Sequence, residues 1–296
     1  MLDSSSVPLE KFVFASGTRK SFEGRRRHVA DAFATVSWFH ELRLRTGAES
    51  VYRMAALFGG PGGPGSTAAG NAKSRWQGYS KGSSSPGESV IREIEVLHPG
   101  CEAVYRSALW EVLRVGRIDP MTVSLVLGRV GPEISAVARL CMTASTGWLT
   151  VGARWDGTSI AMLERRAGPD ALAVLLLGAR WALQNGHART AFRLSGAVCT
   201  MLLLTGPWLH QHGVAGPLSE YVGETVLAHG LFEGRRHRFW TKGYLAALRR
   251  LVAVANGVIA HTPDMLPQAR RQLLLELLQD RYTVELSGLV EQELVI

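Results

Sequence analysis

"IDPMTVSLVLGRVGPEISAVARLCMTAS" (residues 118–145) is followed, after Thr146, by "GWLTVGARWDGTSIAML" (147–163), and how these letters fold decides the architecture. Asp119 ahead of Pro120 is a helix entry, because the carboxylate caps free backbone N–H groups and the proline ring suits a first helical turn. The tight "VGPE" turn at 130–133 opens another helix. Asp156-Gly157 then sits between two alternating apolar runs, a hairpin signal. Just upstream, "ESVIREIEVLHPG" (88–100) and "CEAVYRSALWEVLRVG" (101–116) carry helical spacing, the second closing on Gly116. The expected order is three helices and then a two-stranded ribbon.

Working outward, Val29, Phe33, Val36, Trp38, Leu42, Leu44 and Tyr52 predict one or two helices in a segment that ends near residue 58. From Gly59 to Ser89 glycine, serine and proline dominate, and the segment is expected to be a mobile linker. Within it "GPGGPGST" (60–67) has the glycine spacing of a phosphate-binding loop but lacks its lysine and follows a helical pattern, so nucleotide binding is not expected. Beyond Gly168 the pattern is helical throughout: "PDALAVLLLGARWALQNG" (169–186), "HARTAFRLSGAVCTMLLLTG" (187–206), then segments running to an acidic, leucine-rich end. The fold class is therefore mainly α. An N-terminal helical segment (1–58) with a basic cluster precedes the linker (59–89), a central module with a β-hairpin (90–166) and a C-terminal helical bundle (167–296).

The order of elements over residues 100–166 resembles the winged helix-turn-helix family. The resemblance implies that residues 122–130 form a supporting helix, Gly131 the turn, 133–145 a recognition helix for a DNA groove, and 148–163 the wing. On that footing Arg139, with Ser135, is a base-edge candidate and Arg154 a phosphate contact at the wing tip. A recognition helix carrying Glu133 and Arg139 as its only charges also suits a protein-interaction module.

The charge balance supports a polyanionic partner. Basic residues number 33 against 25 acidic ones, a net charge of +8, and arginines outnumber lysines 28 to 5. Residues 231–260 hold six cations against Glu233, whereas the last 36 residues hold six acids against three arginines. A field with that direction attracts phosphate over a Debye length. "FEGRRRH" (22–28) and "FEGRRHRFW" (232–240) repeat one phrase, each with consecutive arginines expected around a helix start. Arg25, Arg26, Arg27, Arg235, Arg236, Arg238, Trp240 and Lys242 are the nucleic-acid candidates, the arginines for phosphate and the aromatics for stacking on bases. Packing of Phe239 and Trp240 in a core is the competing reading of the second cluster.

Other chemistry is poorly supported by the spacing. Cys101, Cys141 and Cys199 are dispersed and odd in number, which fits neither a disulfide framework nor a zinc site and points to a reducing, cytoplasmic setting. His210, His212, His229 and His237 lack metal-site spacing and are expected in loops. "LSGAV" around Ser195 lacks the second glycine of a nucleophile elbow, and Glu220 with Glu224 reads as solvated helix surface. No cofactor, metal or membrane span is expected. "GAVCTMLLLTGPWL" (196–209) reads as a core helix interrupted at Gly206-Pro207. The expected function is non-catalytic binding of nucleic acid, DNA ahead of RNA, as a regulator or subunit of a nucleoprotein complex. A scaffold that binds other proteins, or itself through the C-terminal helices, is the alternative, and an enzyme of unassigned class comes third.

Overall fold

The structure, a computed structural model, describes residues 28–58, 67–145, 148–151, 155–239, 243–246, 248–249, 253 and 290–294. Among these the protein is mainly helical. The helices are α1 (Val29–Thr46), α2 (Val51–Phe58), α3 (Thr67–Ser80), α4 (Glu88–Leu97), α5 (Cys101–Tyr105), α6 (Ala108–Arg114), α7 (Pro120–Arg129), α8 (Pro132–Cys141), α9 (Gly157–Glu164), α10 (Pro169–Gln184), α11 (Ala188–Gln211) and α12 (Ala215–Thr225). Two short antiparallel pairs accompany them: β1 (Met142–Ser145) with β2 (Trp148–Val151), and β3 (Arg235–Phe239) with β4 (Val290–Leu294). The chain divides into two compact units, residues 1–110 with 209–217, and residues 111–208 with 218–296. This differs from the expected partition at 59–89 and 166.

In the first unit α1 is the central element. His28 caps it, its Nδ1 accepting from the Ala30 N–H at 3.1 Å, and Gly47 ends it in the left-handed region at φ 64°. The inward face of α1 presents Trp38, Phe39 and Leu42 to Met54 of α2, to Trp76 and Tyr79 of α3, to Ile94 of α4 and to Cys101 of α5. Trp38 and Trp76 stack with centroids 5.9 Å apart at 8°, and Tyr79 meets Trp76 edge-on at 5.4 Å. The expected linker is thus corrected from residue 67 onward. Ala72, Trp76 and Tyr79 recur at steps of four and three, which puts them on one face of a helix, and all three are buried. Glycine and serine content concealed a short amphipathic helix whose core contribution is aromatic rather than aliphatic.

The second unit is built on α10, buried along most of its length from Ala171 to Ala182. Asp119 caps α7 through the Thr122 N–H at 2.7 Å, Pro120 and Pro132 occupy the first turns of α7 and α8, and Asp170 accepts from the Gly131 N–H at 2.9 Å. These entries agree with the sequence reading. The recognition helix expected over 133–145 is shorter, ending at Cys141 where β1 begins. The hairpin expected at Asp156-Gly157 is also corrected. Asp156 is instead the N-cap of α9, its Oδ1 accepting from the Ser159 N–H at 2.8 Å, so 157–164 is helical and the ribbon expected over 148–163 does not form. Both outcomes are open to an aspartate before glycine, because the side chain serves a turn or a cap equally well.

Burial of Trp155 settles the choice. Its ring is 2% exposed and lies on Gly178 of α10, and its carbonyl accepts from Arg193 Nη1 at 2.9 Å. A Cβ at Gly178 would stand 2.6 Å from Trp155 Cζ2, so any side chain there displaces the indole. Alanine regains about 1 kcal/mol of helix propensity, which offsets part of the cost, so valine is the cleaner probe. Gly178→Val is expected to destabilise by about 1–3 kcal/mol in urea unfolding. A variant as stable as the parent would show that the ring does not rest on α10.

α11 runs for 24 residues straight through Gly206 and Pro207, where an interruption was expected. Gly206 admits a close neighbour: a Cβ there would lie 2.6 Å from Leu248 and 3.1 Å from the Tyr244 hydroxyl, which donates to the Leu202 carbonyl at 2.9 Å. By length and composition α11 passes the test for a membrane-crossing helix, but 67% of its apolar window is buried inside the protein, as in a core helix.

Candidate nucleic-acid interface

The second copy of the repeated phrase forms a strand, not the expected helix start. Phe232 and Arg235 exchange backbone hydrogen bonds of 2.9 Å in both directions, closing a two-residue turn over Glu233 and Gly234. Both central residues have positive φ, 51° at Glu233 and 72° at Gly234, the geometry that suits the twist of a hairpin. Glycine takes it freely; the glutamate does so at a cost. The chain leaves this turn as β3, Arg-Arg-His-Arg-Phe, and pairs antiparallel with β4, Val-Glu-Gln-Glu-Leu. The register sets Arg235 opposite Leu294, Arg236 opposite Glu293, His237 opposite Gln292, Arg238 opposite Glu291 and Phe239 opposite Val290.

Strand geometry distributes the charge. Alternate positions lie about 6.8 Å apart on one face, close to the separation of successive phosphates along a nucleic-acid strand. Positions 236 and 238 therefore share a face of the ribbon, with 235 and 237 on the other. Arg235 is exposed. Arg25, Arg26, Arg27, Arg154, Trp240 and Lys242 lie outside the described residues, as does the first copy of the phrase apart from His28.

The helix pair presents a different surface. Arg139 of α8 is exposed and donates from Nε to Ser135 Oγ at 3.3 Å. Ser135 itself is buried, so its hydroxyl serves α8 rather than a base edge. Around Arg139 the exposed residues are Glu133, Ala136 and Leu140, and Glu133 pairs with Arg166 at 3.0 Å. Arg129, at the end of α7, pairs with Glu111 at 3.1 Å and shares it with Arg114 at 2.8 Å. Met121 and Leu125, one turn apart on α7, are 79% and 42% exposed, and Leu140 is 53% exposed.

In the first unit the structure also assembles a buried polar group that the spacing did not reveal. His212, expected in a loop, is 2% exposed and holds Glu41 Oε2 through Nε2 at 2.9 Å. Glu41 Oε1 accepts from Arg45 Nε at 2.6 Å, and Arg45 Nη1 donates to the Pro99 carbonyl at 2.5 Å. The His212 hydrogen bond, followed by Arg45, holds the Glu41 carboxyl below its ordinary range despite burial. Beside it His40 is pushed down to about 4, first by burial and then by the charges of Arg43 and His212. The local signal was "LHQHG": Gly213 is left-handed at φ 73°, and a Cβ there would stand 2.6 Å from His40 Nε2.

A histidine held by a carboxylate is half of a nucleophilic triad. Cys101, which feels the charges of Arg45, Glu41 and Glu95, is buried and pushed up to about 11 by that burial, which keeps it a thiol rather than a thiolate. The arrangement ties the turn at 212–213 to α1. His210 lies within α11, and Glu220 and Glu224 are exposed on α12, as expected of solvated surface. Among the described residues no group of three or more His, Cys, Asp or Glu is placed to hold a metal ion. Among known proteins, no family model, curated protein or solved structure matches the chain.

Proposed function

We propose that the protein binds nucleic acid without catalysis, duplex DNA ahead of RNA, as a regulator or as a subunit of a nucleoprotein complex. The observation that carries this reading is the concentration of Arg235, Arg236 and Arg238 on one five-residue strand of a two-stranded ribbon. The major groove of duplex DNA admits such a ribbon, and guanidinium groups suit both phosphate and guanine. The α7–α8 pair with β1 and β2 takes a supporting part, in the manner of a winged helix with a shortened wing. Setting the protein in the cytoplasm agrees with three free, buried cysteines.

The test is fluorescence anisotropy with labelled random duplex DNA, single-stranded DNA and RNA over a salt series. Each phosphate contact contributes about 0.9 to the slope of log affinity against log salt. Changing Arg235, Arg236 and Arg238 together to alanine is expected to weaken duplex binding at least about tenfold and to flatten that slope by about 0.9 for each arginine that neutralises a phosphate. An unchanged slope would remove the strand from the interface.

A second reading is a protein-interaction subunit, favoured by Met121, Leu125 and Leu140 standing exposed on α7 and α8 around few charges. It requires association that is insensitive to salt and weakened by Met121→Asp. Duplex binding that falls steeply with salt and ignores Met121→Asp favours the first reading.

A further inference from the structure

We infer that β4 is an intramolecular competitor for the polyanion: its Glu291 and Glu293 occupy the register positions facing Arg238 and Arg236 and restrain the arginine strand's affinity for phosphate. The inference rests on the nucleic-acid reading and assigns a regulation to that same site. Its basis is the alternation of the two strands. Where β3 has Arg236 and Arg238, β4 has an acid at each opposing rung; where β3 has Arg235 and Phe239, β4 has Leu294 and Val290. Opposite charges directly across a ladder attract, and the same carboxylates repel an approaching phosphate. Three arginines against two glutamates leave the ribbon with one uncompensated charge, and Arg235, facing Leu294, is exposed to make the first contact. A two-stranded ribbon is marginally stable by itself, so a multivalent polyanion has a modest cost to overcome in displacing β4.

The test uses the full chain and the variant Glu291→Gln with Glu293→Gln, in which glutamine keeps shape and backbone pairing while removing charge. Glu220→Gln with Glu224→Gln makes the same charge change on the exposed face of α12. Labelled duplex DNA is the probe, read by anisotropy over a salt series. The β4 variant is expected to bind about tenfold more tightly than the parent, with a slope steeper by about 1.8 because Arg236 and Arg238 are each released to neutralise a phosphate. The α12 variant is expected to match the parent. With Arg236 and Arg238 already changed to alanine, the β4 glutamines are expected to gain much less, because only the direct repulsion of phosphate by the carboxylates is then removed. Tight binding by the β4 variant where the parent is silent also supports the competitor. Equal, measurable binding by parent and β4 variant overturns it and leaves the nucleic-acid reading standing. No binding by either at low salt overturns the nucleic-acid reading, and the competitor with it. Should the double variant lose its fold by circular dichroism, Glu291→Gln alone is expected to give about a threefold gain, and no gain overturns the inference.

Discussion

Trp76→Ala is expected to cost about 3–5 kcal/mol of stability, as removal of a fully buried aromatic from a packed core usually does. Trp76 is 1% exposed, stacks on Trp38, and tilts against Phe58 at 5.5 Å and Phe39 at 6.3 Å. Deleting the indole opens a cavity that four aromatic neighbours, held by their own helices, cannot close. Urea unfolding followed by circular dichroism measures the loss. Trp76→Phe separates packing from polarity, because the indole N–H is buried with no hydrogen-bond partner. Phenylalanine keeps much of the ring and removes that unsatisfied donor, so it is expected to cost less than half as much as alanine. Equal stability of Trp76→Ala and the parent would return residues 67–80 to the status of a linker.

Acid is expected to destabilise the first unit well before its carboxylates titrate. His40 protonates at about 4 in the folded protein against an ordinary value of 6.5. A depressed folded value means that the unfolded chain binds the proton first. The contribution is therefore complete above about pH 6.5 and declines as pH falls towards about 4, where the folded form also protonates. At 1.36 kcal/mol per unit the span amounts to roughly 3 kcal/mol. Glu41 adds to the loss at lower pH, since its carboxyl is also held below its ordinary value and releases its stabilisation as it protonates. Unfolding free energies of the parent and of His40→Gln, measured from pH 7.5 to 4, decide the matter. The variant is expected to show a much shallower decline between pH 6.5 and 4.5. Parallel profiles would mean that His40 titrates normally.

These two regions show where the letters were informative. The entries of α7, α8 and α10 were legible because each has a proline in its first turn, joined at α7 by the Asp119 cap, and such signals act within four residues. The face of α3 was missed: Ala72, Trp76 and Tyr79 mark it, but glycine and serine around it lowered the apparent apolar content and the segment read as a linker. At Asp156-Gly157 the local signal was ambiguous, since one carboxylate can close a hairpin or cap a helix. The Glu41–His212 pair could not be seen in any window, because its members lie 171 residues apart.

The sequence by itself determined a mainly helical chain, its principal helix starts, its arginine excess and the acidic bias of its end. These follow from local backbone preferences and from composition, which need no partner. Tertiary structure decided that Trp155 would be buried on Gly178 and turn the following residues into a helix, because burying an indole outweighs the small difference between turn and cap. It also decided that the arginines after Gly234 would lie on a strand facing two glutamates from more than fifty residues away, since register is a property of two segments together and is written in neither alone.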